Sequence, residues 1–226
     1  MSETLPKSLL SVTRAPRSTL QDHVYRQICE LILNGEIAPG QLVTIQALAD
    51  AFGTSTMPVR EALQRLTAAR ALTVVSGRSV GVPPLSAERL FDLRRVRIEV
   101  ESTAARWATP NIGAAEIKRL EECVAEMDDA VRRGENKQYL RSNRAFHFDL
   151  YSAARSEAML SIIETLWLQI SPYFHLLHAS GNYVMANRQH ELMLKALRAR
   201  DAAAVSQALR EDIEAAYQVL ASLMSE

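Results

Sequence analysis

The chain has 226 residues, 48% hydrophobic and 23% charged, with 26 basic side chains against 26 acidic ones. That length fits one large domain or two modest ones, and few aromatics (6%) with abundant Ala and Leu favour helix over sheet. No apolar run approaches the ~20 residues of a bilayer span, which excludes a helical membrane anchor.

The first residues, Met1 to Ser18, lack a continuous apolar stretch and read as a polar tail (1–16), not a signal peptide. Cys29 and Cys123 each fall in a helical pattern, which fits reduced thiols in the cytoplasm rather than a disulfide framework. Net charge hides a small asymmetry. Residues 1–84 hold eight basic and six acidic side chains, and the rest holds 18 and 20. That balance tolerates a DNA-binding first part without demanding one.

In the first part, Leu20, Val24, Ile28, Leu31 and Ile32 recur at helical spacing, and Asn34-Gly35 ends that helix. Pro39-Gly40 makes a turn, and a short helix runs from Ile45 to Phe52, stopped by Gly53. A third helix starts with Ser55 or Thr56 as N-cap and Pro58 in its first turn, and continues to about Ala69. Residues 72–75 and 79–82 then read as two short strands around Ser76-Gly77-Arg78. Three helices and a hairpin in this order describe a winged helix-turn-helix over 17–84. In that arrangement Ser55, Thr56 and Met57 open the groove-facing helix, and Arg60 follows one turn later with a side chain suited to guanine or phosphate. Ser76, Gly77 and Arg78 at the wing tip are placed to follow the backbone into the minor groove.

Val82-Pro83-Pro84-Leu85-Ser86 is the seam: two prolines cannot continue a helix, and Ser86 is a natural N-cap. Residues 85–226 then read as an all-α bundle, with segments near 86–108, 114–133, 136–152, 157–179, 182–199 and 201–224. Pro172 should kink or split the fourth, and Ser180-Gly181 separates it from the fifth. The fold class is therefore mainly α, a winged helix-turn-helix followed by a helical bundle.

Within the bundle, polar residues sit on apolar faces. Asn143 and His147 lie in line with Tyr139, Phe146 and Leu150; His190 lies with Tyr183, Ala186, Met193 and Leu197; Asp212 lies with Val205, Leu209, Ile213 and Leu220. A buried carboxylate needs a partner. Either these are satisfied core groups, with Asp212 paired to Arg97 or Arg144, or Asn143, His147, His190 and Asp212 together ligate a divalent cation such as Zn, Ni or Mn. Arg97 and Glu101 at i, i+4 fit a surface ion pair worth ~0.3–0.5 kcal/mol. Arg94, Arg97 and Arg144 are candidates to face an acidic effector. His175 and His178 read as ordinary residues of an amphipathic face, and Trp107 and Trp167 as core.

Two resemblances sharpen this reading. Ile45-Gln-Ala-Leu-Ala-Asp-Ala-Phe-Gly53, followed by Met57-Pro-Val-Arg-Glu-Ala-Leu-Gln-Arg-Leu66, resembles the N-terminal signature of the GntR superfamily of bacterial transcription regulators. Ile32 to Gly40 is similar to that family too. The resemblance implies that Arg60 contacts the operator, with Gln46 beside it at the interface. Thr56 stands where the family usually has Arg, and Ala69-Arg70-Ala71-Leu72 lacks the usual glycine. The pattern Asn143, Phe146-His147, His190 and Asp212 is similar to the FCD ligand-binding domain of the FadR-like branch, whose metal-binding members carry Asp, His, His, His. The resemblance implies a homodimeric cytoplasmic regulator of double-stranded DNA, with a repressor the leading expectation. Its operator affinity would answer to a small organic acid at a metal-containing pocket. Three alternatives stand beside it: a metal-dependent hydrolase, a regulator whose signal is the metal itself, and one that holds a larger acyl ligand.

Overall fold

Val24, Ile28 and Ile32 form one stripe of helix α1 (Leu20–Leu33), and all three are buried. They close on Val59, Ala62, Leu63 and Leu66 of α3 (Thr56–Ala68), where each fully buried aliphatic side chain contributes about 1.5–3 kcal/mol. Between them, α2 (Ile45–Phe52) begins on Thr44, whose side chain accepts from the Ala47 amide, and ends on Gly53 at φ 61. That left-handed cap lets the chain turn sharply into α3. This computed structural model describes the backbone of residues 20–76, 79–179 and 183–224, with side chains except at 178–179 and 183–186. The expected tail (1–16), Gly77, Arg78 and the Ser180-Gly181 break lie outside the described residues, as do the side chains of His178, Tyr183 and Ala186.

The hairpin strands, β2 (Thr73–Ser76) and β3 (Ser79–Gly81), are joined by a third, β1 (Leu42–Thr44), giving the antiparallel order β1-β3-β2. Sequence reading missed β1, because three residues after a Pro-Gly turn are too few to display an alternating pattern. Leu42 pairs with Gly81, and a Cβ on Gly81 would lie 2.7 Å from the Gln41 carbonyl oxygen. The glycine is what lets the strands meet. At the end of α3 the expected glycine is missing, and Arg70 adopts φ 56 in its place.

Beyond the seam, α4 (Ala87–Ala108) starts on Ser86, whose Oγ accepts from the Arg89 amide at 3.1 Å. It packs along α10 (Ala202–Ser222), while α5 (Ala114–Arg133) packs on α6 (Asn136–Ser152) and α9 (Tyr183–Arg198). Pro172 splits the fourth segment into α7 (Glu157–Ile170), a 3-10 turn (Ser171–Tyr173) and α8 (His175–Ala179). The turn is useful there, because it lets the Tyr173 hydroxyl donate to the Pro83 carbonyl at the seam. Trp167 is buried as expected. Trp107 is not: it is 46% exposed, since its face of α4 looks outward among the described residues.

Candidate metal centre and nucleic-acid interface

His147 comes from α6, His190 from α9 and Asp212 from α10, and the three meet inside the bundle. One ligand atom from each lies within 4.8 Å of the others. His147 Nε2 is 3.2 Å from His190 Nε2 and 3.4 Å from an Asp212 carboxylate oxygen. Both rings are buried, and Phe146 packs edge-on against them, with centroids 4.7 Å from His190 and 5.6 Å from His147. Burial works against charge on Asp212. The neighbouring His147, His190 and Arg97 side chains outweigh it and hold the carboxyl below its ordinary range.

Three groups that act as acceptors when unprotonated thus converge in a largely buried site. Such a set is mutually repulsive unless a proton or a cation lies between its members. Two imidazoles and a carboxylate are also the donor types that Zn, Ni and Mn accept. The residues fit a divalent cation. Asn143, one turn before His147, lines the same cavity, as do Arg97, Trp167 and Phe174. The cavity measures about 40 Å³. That is room for an ion with a few waters or a compact acid group.

Behind the histidines the structure corrects the expectation for Glu101. Arg97 and Glu101 are not a surface pair: their side chains are only 7% and 0% exposed. Arg97 Nε donates to Glu101 at 2.7 Å, and Trp167 Nε1 donates to the same carboxylate at 3.2 Å. The Tyr151 hydroxyl completes the set, 2.5 Å from Glu101 and 3.1 Å from His147 Nδ1. Burial, then the Glu101 charge and the hydrogen bond to it, push that hydroxyl well above its ordinary range, so it keeps its proton. Sequence reading passed over Tyr151, though it lies four residues after His147 on the same helical face.

Two of the three arginines lie elsewhere. Arg94 pairs with Glu214 at 2.5 Å and lines a groove with Arg95, Glu99 and Arg210, away from the histidines. Arg144 reaches out of the bundle to Glu30 of α1. Only Arg97 lines the histidine cavity. The reason is rotational: a side chain one position from an inward-facing residue points about 100° away on a helix.

In the first part, Ser55, Met57, Arg60 and Ser76 are exposed and Thr56 is half-buried. Ser55 is the N-cap of α3 but makes no side-chain capping bond. Gln46 is exposed on α2 and donates to Asp50 at 2.8 Å. Arg60 lines a groove between α3 and the hairpin with Val74, Ser76 and Ser79, and forms no ion pair among the described residues. Arg65, by contrast, is held by Asp22 and stacks on Tyr25.

Against known proteins, residues 20–82 match the family described as bacterial regulatory proteins, gntR family, and residues 92–215 match the FCD domain. The chain belongs to the GntR family. It is an FCD-containing GntR regulator, and the HTH-type transcriptional regulator McbR of Escherichia coli K12 is 31% identical to it over 170 residues. That alignment covers 74% of this chain and 77% of McbR. The solved structure of E. coli McbR superposes with a TM-score of 0.81 at 28% identity, covering 87% of this GntR chain and 94% of that one. A GntR transcriptional regulator from Rhodococcus sp. RHA1 shares the fold, with a TM-score of 0.73, 24% identity and coverage of 90% and 98%. As a GntR-type transcription regulator the protein binds DNA through its helix-turn-helix part. No helix among the described residues is long and apolar enough to cross a membrane.

Proposed function

We propose that this regulator is a cytoplasmic homodimeric repressor whose grip on its operator is set by a divalent cation and a small organic acid in the FCD bundle. The observation that carries the reading is the meeting of His147, His190 and Asp212 from three helices within 4.8 Å. Asn143 is the fourth ligand in this reading, a neutral oxygen beside two imidazoles and one carboxylate. When bound, the cation supplies open coordination positions that a carboxylate can take. Arg97 offers a cationic wall, its guanidinium carbon 5.6 Å from the Trp167 ring and 5.7 Å from the Phe174 ring. A cavity of about 40 Å³ favours a compact acid over a long acyl chain.

The reader spans 17–84 and the sensor 85–226 in this proposal. Gln46, Ser55, Thr56, Met57 and Arg60 face the major groove, and Ser76, Gly77 and Arg78 are the candidates for minor-groove contact. A twofold dimer presents two α3 helices to half-sites about 34–36 Å apart. The effector can act only through unequal affinity for two dimer geometries.

The test combines elemental analysis of purified protein with gel shifts on its upstream DNA. Chelator, added zinc and a panel of small organic acids are compared. Bound metal that is lost in His147→Ala and His190→Ala, with acid-dependent release of DNA, is the expected result. Full metal retention in the double variant would remove this site from the account.

A further inference from the structure

We propose that Glu101 and Tyr151 are positioning residues that hold His147 as its Nδ1–H tautomer, so that its Nε2 lone pair is the one aimed at His190 and Asp212. This rests on the cation reading above for its purpose, though not for its geometry.

Protons around Glu101 and Tyr151 can be counted one by one. Arg97 and Trp167 have only donors to offer, and both offer them to Glu101. Tyr151 has one hydroxyl proton and two neighbours able to accept it. Glu101 is 2.5 Å away and carries charge, whereas His147 Nδ1 is 3.1 Å away. Hydrogen bonds to a charged acceptor are the shorter and stronger ones, so the proton goes to Glu101. The Tyr151 oxygen then faces His147 with a lone pair. The atom opposite it must be a donor, which places a hydrogen on Nδ1 and leaves Nε2 bare.

The other tautomer would turn an N–H toward the site, where it could satisfy Asp212 but could not ligate. The surroundings resist that exchange. Glu101 is fully buried, and losing the Tyr151 proton would remove one of its donors without any water to replace it. Phe146 and Trp167 fix the plane of the His147 ring from two sides. Residues behind a ligand that set its tautomer usually matter about 10–100-fold in metal affinity. Here the chain of contacts is Arg97, Glu101, Tyr151, His147, drawn from two helices.

The experiment uses full-length protein labelled with 15N-histidine, freed of metal and held at pH 8. Two-bond proton–nitrogen correlations then read which ring nitrogen of His147 carries hydrogen. Wild-type protein should show Nδ1–H. Tyr151→Phe should shift the population toward Nε2–H, and its zinc affinity by calorimetry should fall about 10–100-fold. Glu101→Gln should move both readings the same way. A wild-type ring with hydrogen on Nε2, or on both nitrogens, overturns the proposal without any variant having to fold. An unchanged tautomer and affinity in folded Tyr151→Phe overturns it too. Wild-type protein that binds no zinc yet shows Nδ1–H would sink the cation reading while leaving the tautomer assignment standing, so the two failures are distinct.

Discussion

Arg144 Nη2 lies 2.7 Å from Glu30 Oε2, which ties the turn of α6 carrying Asn143 to α1 of the DNA-reading part. The two side chains are 22% and 50% exposed, so the pair adds at most about 1 kcal/mol to stability. Its value lies in where it sits. If the proposed ligand binding at His147 shifts α6, this contact passes the shift to α1, which packs on α3. Arg144→Gln and Glu30→Gln should therefore leave the unfolding midpoint nearly unchanged. Each should shrink the ratio of operator affinities measured with zinc and with chelator. A double-mutant cycle on that ratio should be non-additive; strictly additive effects would mean the signal travels by another route.

Arg60 and Arg65 sit five residues apart on α3 with opposite fates. Arg65 is engaged by Asp22 and Tyr25, while Arg60 is exposed beside the hairpin. Arg60→Ala should weaken specific operator binding by about 1–3 kcal/mol in gel shifts, with an unaltered circular dichroism spectrum. Arg65→Ala should lower the urea midpoint slightly and leave specificity alone. The reverse pattern would assign the contact to the wrong residue.

In the proposed ligand set the weak member is Asn143, a neutral oxygen where a carboxylate would bind a divalent ion more firmly. Asn143→Asp adds a charge to the ligand set and should tighten zinc binding by at least about tenfold in calorimetry. The same variant should repel an acidic effector, raising the concentration that releases DNA. Looser zinc binding in a folded Asn143→Asp protein would take residue 143 out of the ligand set.

Much of this was legible before any coordinates. Helix boundaries followed from signals of fixed chemistry: Ser86 accepts from the first turn of α4, and Gly53 ends α2 at positive φ. That His147, His190 and Asp212 face inward was visible as polar residues on apolar faces, because periodicity reports which side of a helix is buried; that they form one set was implied by the resemblance to the FCD pattern. Periodicity is silent on what lies across from a residue. Thus Arg97 and Glu101 looked like a surface pair, since i, i+4 spacing is the same on either face, and the Tyr151 and Trp167 donors come from other helices. Arg94 and Arg144 lie away from the histidine cavity for the same reason: charge near a site in sequence says nothing of direction. Trp107 shows the converse, an apolar side chain that its helix turns outward.

Gly81 is held to glycine by an approach, not by a turn. A methyl group there would sit 2.7 Å from the Gln41 carbonyl oxygen, which the pairing of β1 with β3 keeps in place. Gly81→Ala should push β1 away and cost about 1–3 kcal/mol in urea unfolding. The variant should also lose operator affinity through displacement of the wing, whereas Gly113→Ala, whose new Cβ would meet the flexible end of Glu116 at 3.1 Å, should be milder.

Arg70 presents the opposite case, a position that wants glycine and lacks it. Its φ of 56 is the left-handed region that a side chain disfavours, and Ala71 and Leu72 both return their amides to the Leu66 carbonyl around it. Relieving that strain outweighs the extra freedom glycine gives the unfolded chain, so Arg70→Gly should raise stability by about 1 kcal/mol. The Arg89 contact survives the change, because Arg89 bonds the backbone oxygen of residue 70 at 2.7 Å and not its side chain. Ala69→Gly is the control: at φ −74 there is no strain to relieve, and the entropy of glycine should lower stability by roughly 0.5–1 kcal/mol. Opposite signs at neighbouring positions in urea unfolding are the expected result. If both variants lose stability, the arginine side chain makes a compensating contribution at the end of α3 that its backbone angle does not reveal.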